Sequence, residues 1–105
     1  MTISSRDDSF LRFILEQLAA LPALSARPMF GGHGLYADGR FFAIVYQGRL
    51  YFKTDEAGRA GYLAWGMECF RPNPRQHLKN YYEVPVEILE SEQLIEWARA
   101  ALLVC

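Results

Sequence analysis

Cysteine is scarce in this chain of 105 residues, which has only Cys69 and Cys105, 36 positions apart. Two cysteines at this separation do not make a disulfide framework, and no pair among the cysteines and histidines has the close spacing of a structural zinc site. No order of serine, histidine and aspartate matches a nucleophile elbow. The sequence therefore predicts a protein that is not an enzyme and has no metal or cofactor.

An excess of charge of one sign and long apolar runs are also lacking. Lysine and arginine number 11 against 12 acidic residues, a formal net charge of -1, whereas nucleic-acid-binding domains are usually strongly basic. No stretch approaches the roughly 18 to 20 apolar residues of a membrane helix, and the first eight residues lack the order of a signal peptide. We expect a cytoplasmic protein without membrane contact.

Apolar residues are abundant, at 51% of the chain, and 14% of the residues are aromatic. At this length roughly two thirds of the unfolded surface can be buried, so one core can stabilise the fold. Since the sequence shows no repeat, low-complexity tract or linker, residues 1–105 are predicted to form a single domain.

Periodicity predicts an α+β fold, an antiparallel sheet with helices mainly on one side, in the order α-β-β-β-β-α-β-β-α. Strands are expected at 27–30, 34–37, 41–46 and 50–53, and shorter extended pieces at 69–70 and 79–84, joined by a loop. Asp38-Gly39 and Gln47-Gly48 predict two-residue hairpin turns. A turn is expected at 87–90, before the last helix.

Capping residues delimit the three predicted helices. A serine, at position 4 or 5, starts the first helix, and Pro22 ends it. Thr54 or Asp55 caps the second helix, which Gly66 terminates. Ser91 caps the C-terminal helix, whose apolar stripe recurs at helical spacing.

The aromatic residues of the strands exceed what one layer of helices can cover. The run 41–46 is continuously apolar, as in a central strand that is covered on both faces. Helices on one face would leave tyrosine and phenylalanine rings on the other, so we expect an interface or additional cover there. Short aromatic strands can also pair with a second copy at a sheet edge, which predicts a homodimer.

The segment Gly31-Gly32-His33-Gly34 is the most distinctive in the chain. Glycine-rich loops cradle phosphate when they lead from a strand into a helix, but this segment leads into another strand. The interpretation we favour is a structural loop, a bulge or tight bend at the edge of the sheet. Phosphate binding is the alternative.

A cluster of basic and aromatic residues follows in the second half of the chain, and its members are Arg71, Arg75, His77, Lys79, Tyr81 and Tyr82. Such a mixture can hold phosphates and stack bases, so these residues are candidate contacts for nucleic acid or for a protein partner. The alternative, which the pattern favours, is a solvated loop leading into a strand whose tyrosines alternate in and out of the core.

Six short motifs stand in a fairly specific order and spacing: Met29-Phe30-Gly31-Gly32, Gly34-Leu35-Tyr36, Phe42-Ala43, Leu50-Tyr51-Phe52-Lys53, Tyr81-Tyr82-Glu83-Val84-Pro85 and Trp97-Ala98. Together they resemble the N-terminal domain of the TfoX/Sxy competence regulators. The resemblance implies a fold similar to secretion-chaperone-like domains and a role linked to the regulation of DNA-uptake genes. Full-length members of the family carry a second, helical domain, and this chain stops at Cys105, directly after the first.

The resemblance implies no catalytic residues for this chain. We therefore predict a non-enzymatic regulatory or adaptor domain that acts through contacts with a regulatory protein partner, whose identity the sequence does not give. Direct binding of nucleic acid through segment 71–82 is the alternative, and the net charge of -1 predicts that such binding is weak.

Overall fold

The computed structural model describes residues 5–29, 31–73 and 75–104, which form an α+β fold of six strands and four helices. The predicted fold class and element order are confirmed. The elements in chain order are α1 (Ser5–Gln17), β1 (Ser25–Met29), β2 (Gly32–Ala37), β3 (Arg40–Tyr46), β4 (Arg49–Lys53), α2 (Glu56–Ala64), β5 (Cys69–Asn73), β6 (Gln76–Glu83), α3 (Val86–Leu89) and α4 (Gln93–Leu103). The segment expected as a turn before the last helix is the single-turn helix α3.

The strands form one antiparallel sheet in the order β1-β2-β3-β4-β6-β5. Both predicted hairpin turns are present, and all four of their residues have positive φ, as two-residue turns between twisted strands require. β3 lies in the interior of the sheet, and its residues from Phe42 to Val45 are buried, as its continuous apolar run predicts.

A bulge in β3 changes which side chains share a face of the sheet. Leu35 pairs with Ala43, whereas the next residue, Tyr36, pairs with Phe41, so Phe42 is an additional residue opposite β2. Phe42 and Ala43 both join the core beneath the helices. Phe41 belongs to the opposite face.

The main core lies between the sheet and the helices, all four of which contribute buried residues to it. The stripe predicted for α4 supplies Leu94, Ala98 and Ala101 to this core, α1 supplies Ile14, and Leu18 joins the core directly after α1. A second cluster of buried residues consists only of strand residues. The helices of the described part of the chain therefore pack on one face of the sheet, as predicted.

Helix α2 begins and ends at the predicted residues. Asp55 is its N-cap, and the Asp55 carboxylate accepts a hydrogen bond of 2.7 Å from the backbone N–H of Gly58. After the helix, Gly66 has a φ of 78°, the left-handed conformation that terminates helices. The N-cap of α4 is Glu92 and not the predicted Ser91, although the hydroxyl of Ser91 accepts a hydrogen bond of 3.1 Å from the N–H of Gln93.

Helix α1 is shorter than predicted. It begins at Ser5 and ends at Gln17, well before Pro22, and Ser4 lies outside the described residues. The N–H of Leu21 donates to the carbonyl of Leu18, three residues before it, so the chain leaves the helix in a tight turn that buries both leucines.

The prediction of a loop between two short extended pieces at 69–70 and 79–84 was wrong. β5 continues to Asn73 and β6 begins at Gln76, and these two residues pair, so the two strands form a hairpin. Proline excludes helix but is tolerated in an edge strand, because an edge strand leaves one row of N–H groups unpaired. β5 is such an edge strand, and it contains Pro72.

Candidate functional site

The face of the sheet opposite the helices carries a cluster of aromatic rings, which we call the aromatic face. It consists of Phe41, Ile44, Tyr46, Tyr51, Phe70, Leu78 and Tyr81, with Tyr36 stacked on Phe41 at its margin. Successive residues of a strand point to opposite faces, which is why Ile44 and Tyr51 lie here while their neighbours Val45 and Leu50 lie in the main core.

The rings of the aromatic face form two connected groups. Phe41 lies between Tyr36 and Tyr81, with ring centroids 5.2 Å and 5.3 Å away. Phe70 makes edge contacts with Tyr46 and Tyr51, at 5.2 Å and 4.9 Å. These separations and angles are typical of favourable aromatic pairs. The hydroxyl of Tyr81 also donates to the carbonyl of Phe41, at 3.4 Å.

The aromatic face is buried only in part. Phe70 and Tyr81, one from each strand of the β5–β6 hairpin, are buried together with Tyr51. Tyr36 and Tyr46 are only half-buried. Part of the aromatic face is therefore buried by its own rings, and Tyr36 and Tyr46 remain partly accessible.

Charged residues surround the accessible rings. The guanidinium carbon of Arg27 lies 4.8 Å from the centre of the Tyr36 ring, a cation–π contact. Arg49 and Glu83 form an exposed ion pair of 3.9 Å between Nε and Oε2. Burial, and to a smaller extent the negative charge of Glu83, raise the pKa of Tyr51, so its hydroxyl stays neutral at physiological pH.

The residues predicted as partner contacts do not share one surface. Arg71, Arg75 and Lys79 are exposed on the β5–β6 hairpin. Tyr81, however, is only 7% exposed and belongs to the aromatic face. The side chain of His77 lies outside the described residues.

Tyr82, the last of the predicted contacts, packs against the main core on the other face of the sheet. Its ring lies 6.1 Å from that of Tyr62, and the guanidinium carbon of Arg59 is 5.9 Å from its centre. The two adjacent tyrosines therefore point to opposite faces of β6, as the alternating pattern predicts.

The glycine-rich segment lies at the edge of the sheet, where it joins β1 to β2. Only Gly31 is in the turn, because β2 begins earlier than predicted, at Gly32. His33 is therefore a strand residue, half-buried and paired with Pro28 and Val45. Gly34 faces Phe41 and Met29, which a Cβ atom would approach to 3.0 Å and 3.1 Å.

The described residues contain no group of three histidine, cysteine, aspartate or glutamate side chains that could hold a metal ion. None of the described helices is long and apolar enough to cross a membrane. The excess of aromatic residues on the strands predicts rings on the face away from the helices, but no sequence pattern places Tyr36, Tyr46 and Arg27 there. Their position on this face depends on the bulge at Phe42 and on strand register, which no local motif indicates.

These features define an α+β domain whose antiparallel sheet has helices on one face and aromatic rings on the other. The chain matches the family model of the TfoX N-terminal domain over residues 16–104, and it belongs to this family. The match confirms the family that the six motifs resemble. No curated protein shows a significant match to the chain.

Proposed function

We propose that this domain is a cytoplasmic, non-enzymatic regulatory or adaptor module that acts through contacts with a protein partner. Membership of the TfoX N-terminal domain family supports a role like that of the competence regulators. The observation that carries the proposal is that Tyr36 and Tyr46 of the aromatic face are only half-buried, with the exposed Arg27 over the ring of Tyr36. Tyrosine, phenylalanine and arginine are enriched at protein interfaces, and the most strongly contributing residues there are usually tyrosine, tryptophan and arginine.

Photo-crosslinking in native cells tests this proposal. A benzophenone amino acid replaces Tyr46 on the aromatic face or, as a control, the exposed Glu16 on α1. We expect a discrete adduct with a protein from position 46 only, and the adduct should survive nuclease treatment. Arg27→Glu should reduce its yield several-fold, whereas Arg12→Glu, the same change at an exposed site on α1, should not.

Three results would contradict the proposal. Equal adducts from both positions would mean that the aromatic face is not the contact surface. An adduct removed by nuclease would identify nucleic acid as the partner. An adduct containing only a second copy of this chain would make self-association, and not a regulatory partner, the use of this face.

Direct binding of nucleic acid through segment 71–82 is the second candidate, because Arg71, Arg75 and Lys79 are exposed on one hairpin. Three phosphate contacts would give a slope of about -2.7 in a plot of log K against log salt. Arg71→Ala with Arg75→Ala would then flatten the slope by about two units. We expect no binding to duplex, or weak binding at low salt that these substitutions do not change.

The matched control for this salt titration is Arg12→Ala with Arg99→Ala, which removes the same charge from exposed sites outside the hairpin. Equal effects of the two double variants would indicate a response to net charge alone. Submicromolar, sequence-dependent retention of DNA at near-physiological salt, lost only in the hairpin variant, would favour nucleic-acid binding over the adaptor function.

A further inference from the structure

Charged residues are distributed unevenly between the sheet and the helices. The described strands contain one acidic residue, Glu83, against six basic residues: Arg27, Arg40, Arg49, Lys53, Arg71 and Lys79. Each of the four described helices, in contrast, presents an exposed glutamate, and these are Glu16, Glu56, Glu87 and Glu96. The formal net charge of -1 therefore conceals strands rich in positive charge and helices that expose negative charge.

Two of the six basic strand residues lie beside the partly accessible rings of the aromatic face. Arg49 is the direct cross-strand partner of Tyr46 in the β3–β4 pair, so both side chains point to this face. The guanidinium of Arg27 lies over the Tyr36 ring. Each of the two half-buried tyrosines therefore has an arginine next to it.

Arg27 has hydrogen-bond donors available for a carboxylate. A cation–π contact such as the one with Tyr36 leaves most of the five N–H donors of a guanidinium unpaired. Arg27 makes no hydrogen bond or ion pair with any other described residue. Since the ring already restrains the guanidinium, a carboxylate can bind through two parallel hydrogen bonds at a smaller cost in side-chain entropy.

Arg49 differs from Arg27 because an acidic residue lies close to it. Its Nε atom is 3.9 Å from Oε2 of Glu83, too far for a hydrogen bond, and its side chain is 63% exposed. The charge of Glu83 nevertheless offsets part of the charge of Arg49. An acidic partner would therefore be attracted by both arginines and opposed on this face by Glu83.

The rings of the aromatic face favour contact with an apolar side chain over stacking with a base. Because β2 lies between β1 and β3, the Tyr36 ring has Arg27 on one side and Phe41 on the other. Phe41 in turn lies between Tyr36 and Tyr81, at interplanar angles of 27° and 31°. Neither ring offers an open face for a base. The accessible parts of these half-buried rings are their edges, which pack well against an aromatic or aliphatic side chain.

We propose that the partner of the aromatic face is an acidic protein segment, in which aspartate or glutamate flanks an aromatic or aliphatic residue. The apolar side chain lies against Tyr36 and Tyr46, and a carboxylate binds the Arg27 guanidinium. The exposed glutamates of the helices repel such a segment, so charge also directs it to the sheet side. This inference rests on the function proposed above, because it takes the aromatic face as the contact surface.

Three probes of similar length test the inference on the full chain. The first is a capped pentapeptide with a central phenylalanine and aspartate or glutamate at its other positions, and the second replaces these acids with asparagine and glutamine. The third is single-stranded pentathymidylate, whose phosphates carry about the same charge as the acidic peptide. The readout is the ¹H–¹⁵N correlation spectrum at low salt, followed at the amides of Tyr36 and Tyr46. We expect the acidic peptide to bind about fivefold more tightly than either other probe, and added salt to reduce its advantage over the neutral peptide.

Charge variants should change the affinity for the acidic peptide in opposite directions. Arg27→Gln should weaken it about fivefold, whereas Arg12→Gln, the same change at an exposed site on α1, should not. Glu83→Gln should strengthen it about threefold, because the substitution removes the charge that opposes the ligand. A gain in affinity cannot arise from misfolding. The matched control is Glu16→Gln on α1, which should leave the affinity unchanged.

The inference fails if the acidic peptide causes no saturable shift at these amides, if the neutral peptide binds as tightly, or if Glu83→Gln gives no gain in affinity. Tighter binding of pentathymidylate would assign the face to nucleic acid and would also overturn it. Photo-crosslinking from position 46 distinguishes this failure from failure of the proposed function. A protein adduct whose crosslinked segment has no excess of aspartate and glutamate would contradict the inference alone, whereas the absence of any protein adduct would contradict the function.

Discussion

At the scale of single residues, neighbouring glycines at the edge of the sheet meet two different physical requirements. Gly31 has a φ of 82°, which L-residues with a side chain rarely adopt, although a Cβ atom there would have open space around it. At Gly32 the limit is steric: a Cβ atom would collide with the carbonyl oxygen of Val45 and lie 3.1 Å from the Cα atom of Tyr46. The sequence predicts a structural role for these glycines, but it does not distinguish the backbone requirement at Gly31 from the steric requirement at Gly32.

We expect Gly31→Ala to lower the free energy of unfolding by about 1 kcal/mol, the usual cost of a side chain at positive φ. Gly32→Ala should cost more, because a backbone carbonyl of β3 has to move. Gly61→Ala is the matched control: it lies in a helix interior with open space, and it should stabilise the domain by up to about 1 kcal/mol. Urea denaturation measures all three.

A different result would revive the alternative interpretation of the glycine-rich segment. If Gly31→Ala and Gly32→Ala both leave the free energy of unfolding unchanged but abolish a cellular phenotype, this segment is a binding site.

At the scale of elements, the β5–β6 hairpin extends the sheet and supplies buried rings to the aromatic face. Phe70 is fully buried between Tyr46 and Tyr51, although it comes from an edge strand, which would normally be exposed on one face. At the other end of the hairpin, the backbone carbonyl of Asn80 accepts hydrogen bonds from the N–H and the hydroxyl of Thr54. The side-chain oxygen of Asn80 accepts a hydrogen bond from the guanidinium of Arg59. The hairpin is thus attached both to the aromatic face and to the start of α2.

Removing the buried ring should release this hairpin. Phe70→Ala is expected to cost about 3 to 5 kcal/mol, the range for large core residues, while Arg71→Ala, its exposed neighbour, should stay within about 0.5 kcal/mol. Hydrogen exchange should show faster opening at β5 and β6 than at β2 and β3. A cost near that of Arg71→Ala would mean that the aromatic face contributes little to stability.

At the scale of the whole molecule, the sheet geometry bears on the predicted homodimer. In the described residues the edges of the sheet are β1 and β5, and each contains a proline, Pro28 or Pro72, that lacks an N–H donor. Proline at an edge opposes the addition of another strand. Association of two copies by edge pairing is therefore disfavoured. Contact between two aromatic faces is the remaining geometry for a homodimer of the isolated chain, and a regulatory partner would compete with the second copy for this surface.

Light scattering at high micromolar concentration tests the homodimer. We expect a species of twice the 12.0 kDa chain mass, and Tyr46→Arg should return it to 12.0 kDa, because a charge would then be buried against its own copy. Gln47→Arg, an exposed substitution in the adjacent turn, is the control and should not change the mass. A single species of 12.0 kDa in the native chain would contradict the prediction.

Local signals determined most of the element order. Turn dipeptides, the Asp55 cap, the Gly66 terminator and the periodicity of α4 act within a few residues of chain, so they are readable without knowledge of the rest. The hairpin at Asn73 and Gln76 could not be predicted from local signals. Proline excludes a helix there, but whether the segment forms a loop or a strand depends on pairing with a partner strand.

The arrangement of surfaces, in contrast, depends on contacts between distant parts of the chain. The bulge at Phe42, the position of β6 between β4 and β5, and the meeting of Tyr62 with Trp97 all depend on register and packing between segments distant in the chain. A shift of one residue in a strand moves each side chain to the opposite face of the sheet. The same sequence pattern is therefore compatible with several surfaces, and non-local pairing selects the one in which Tyr81 joins the aromatic face and Tyr82 the main core.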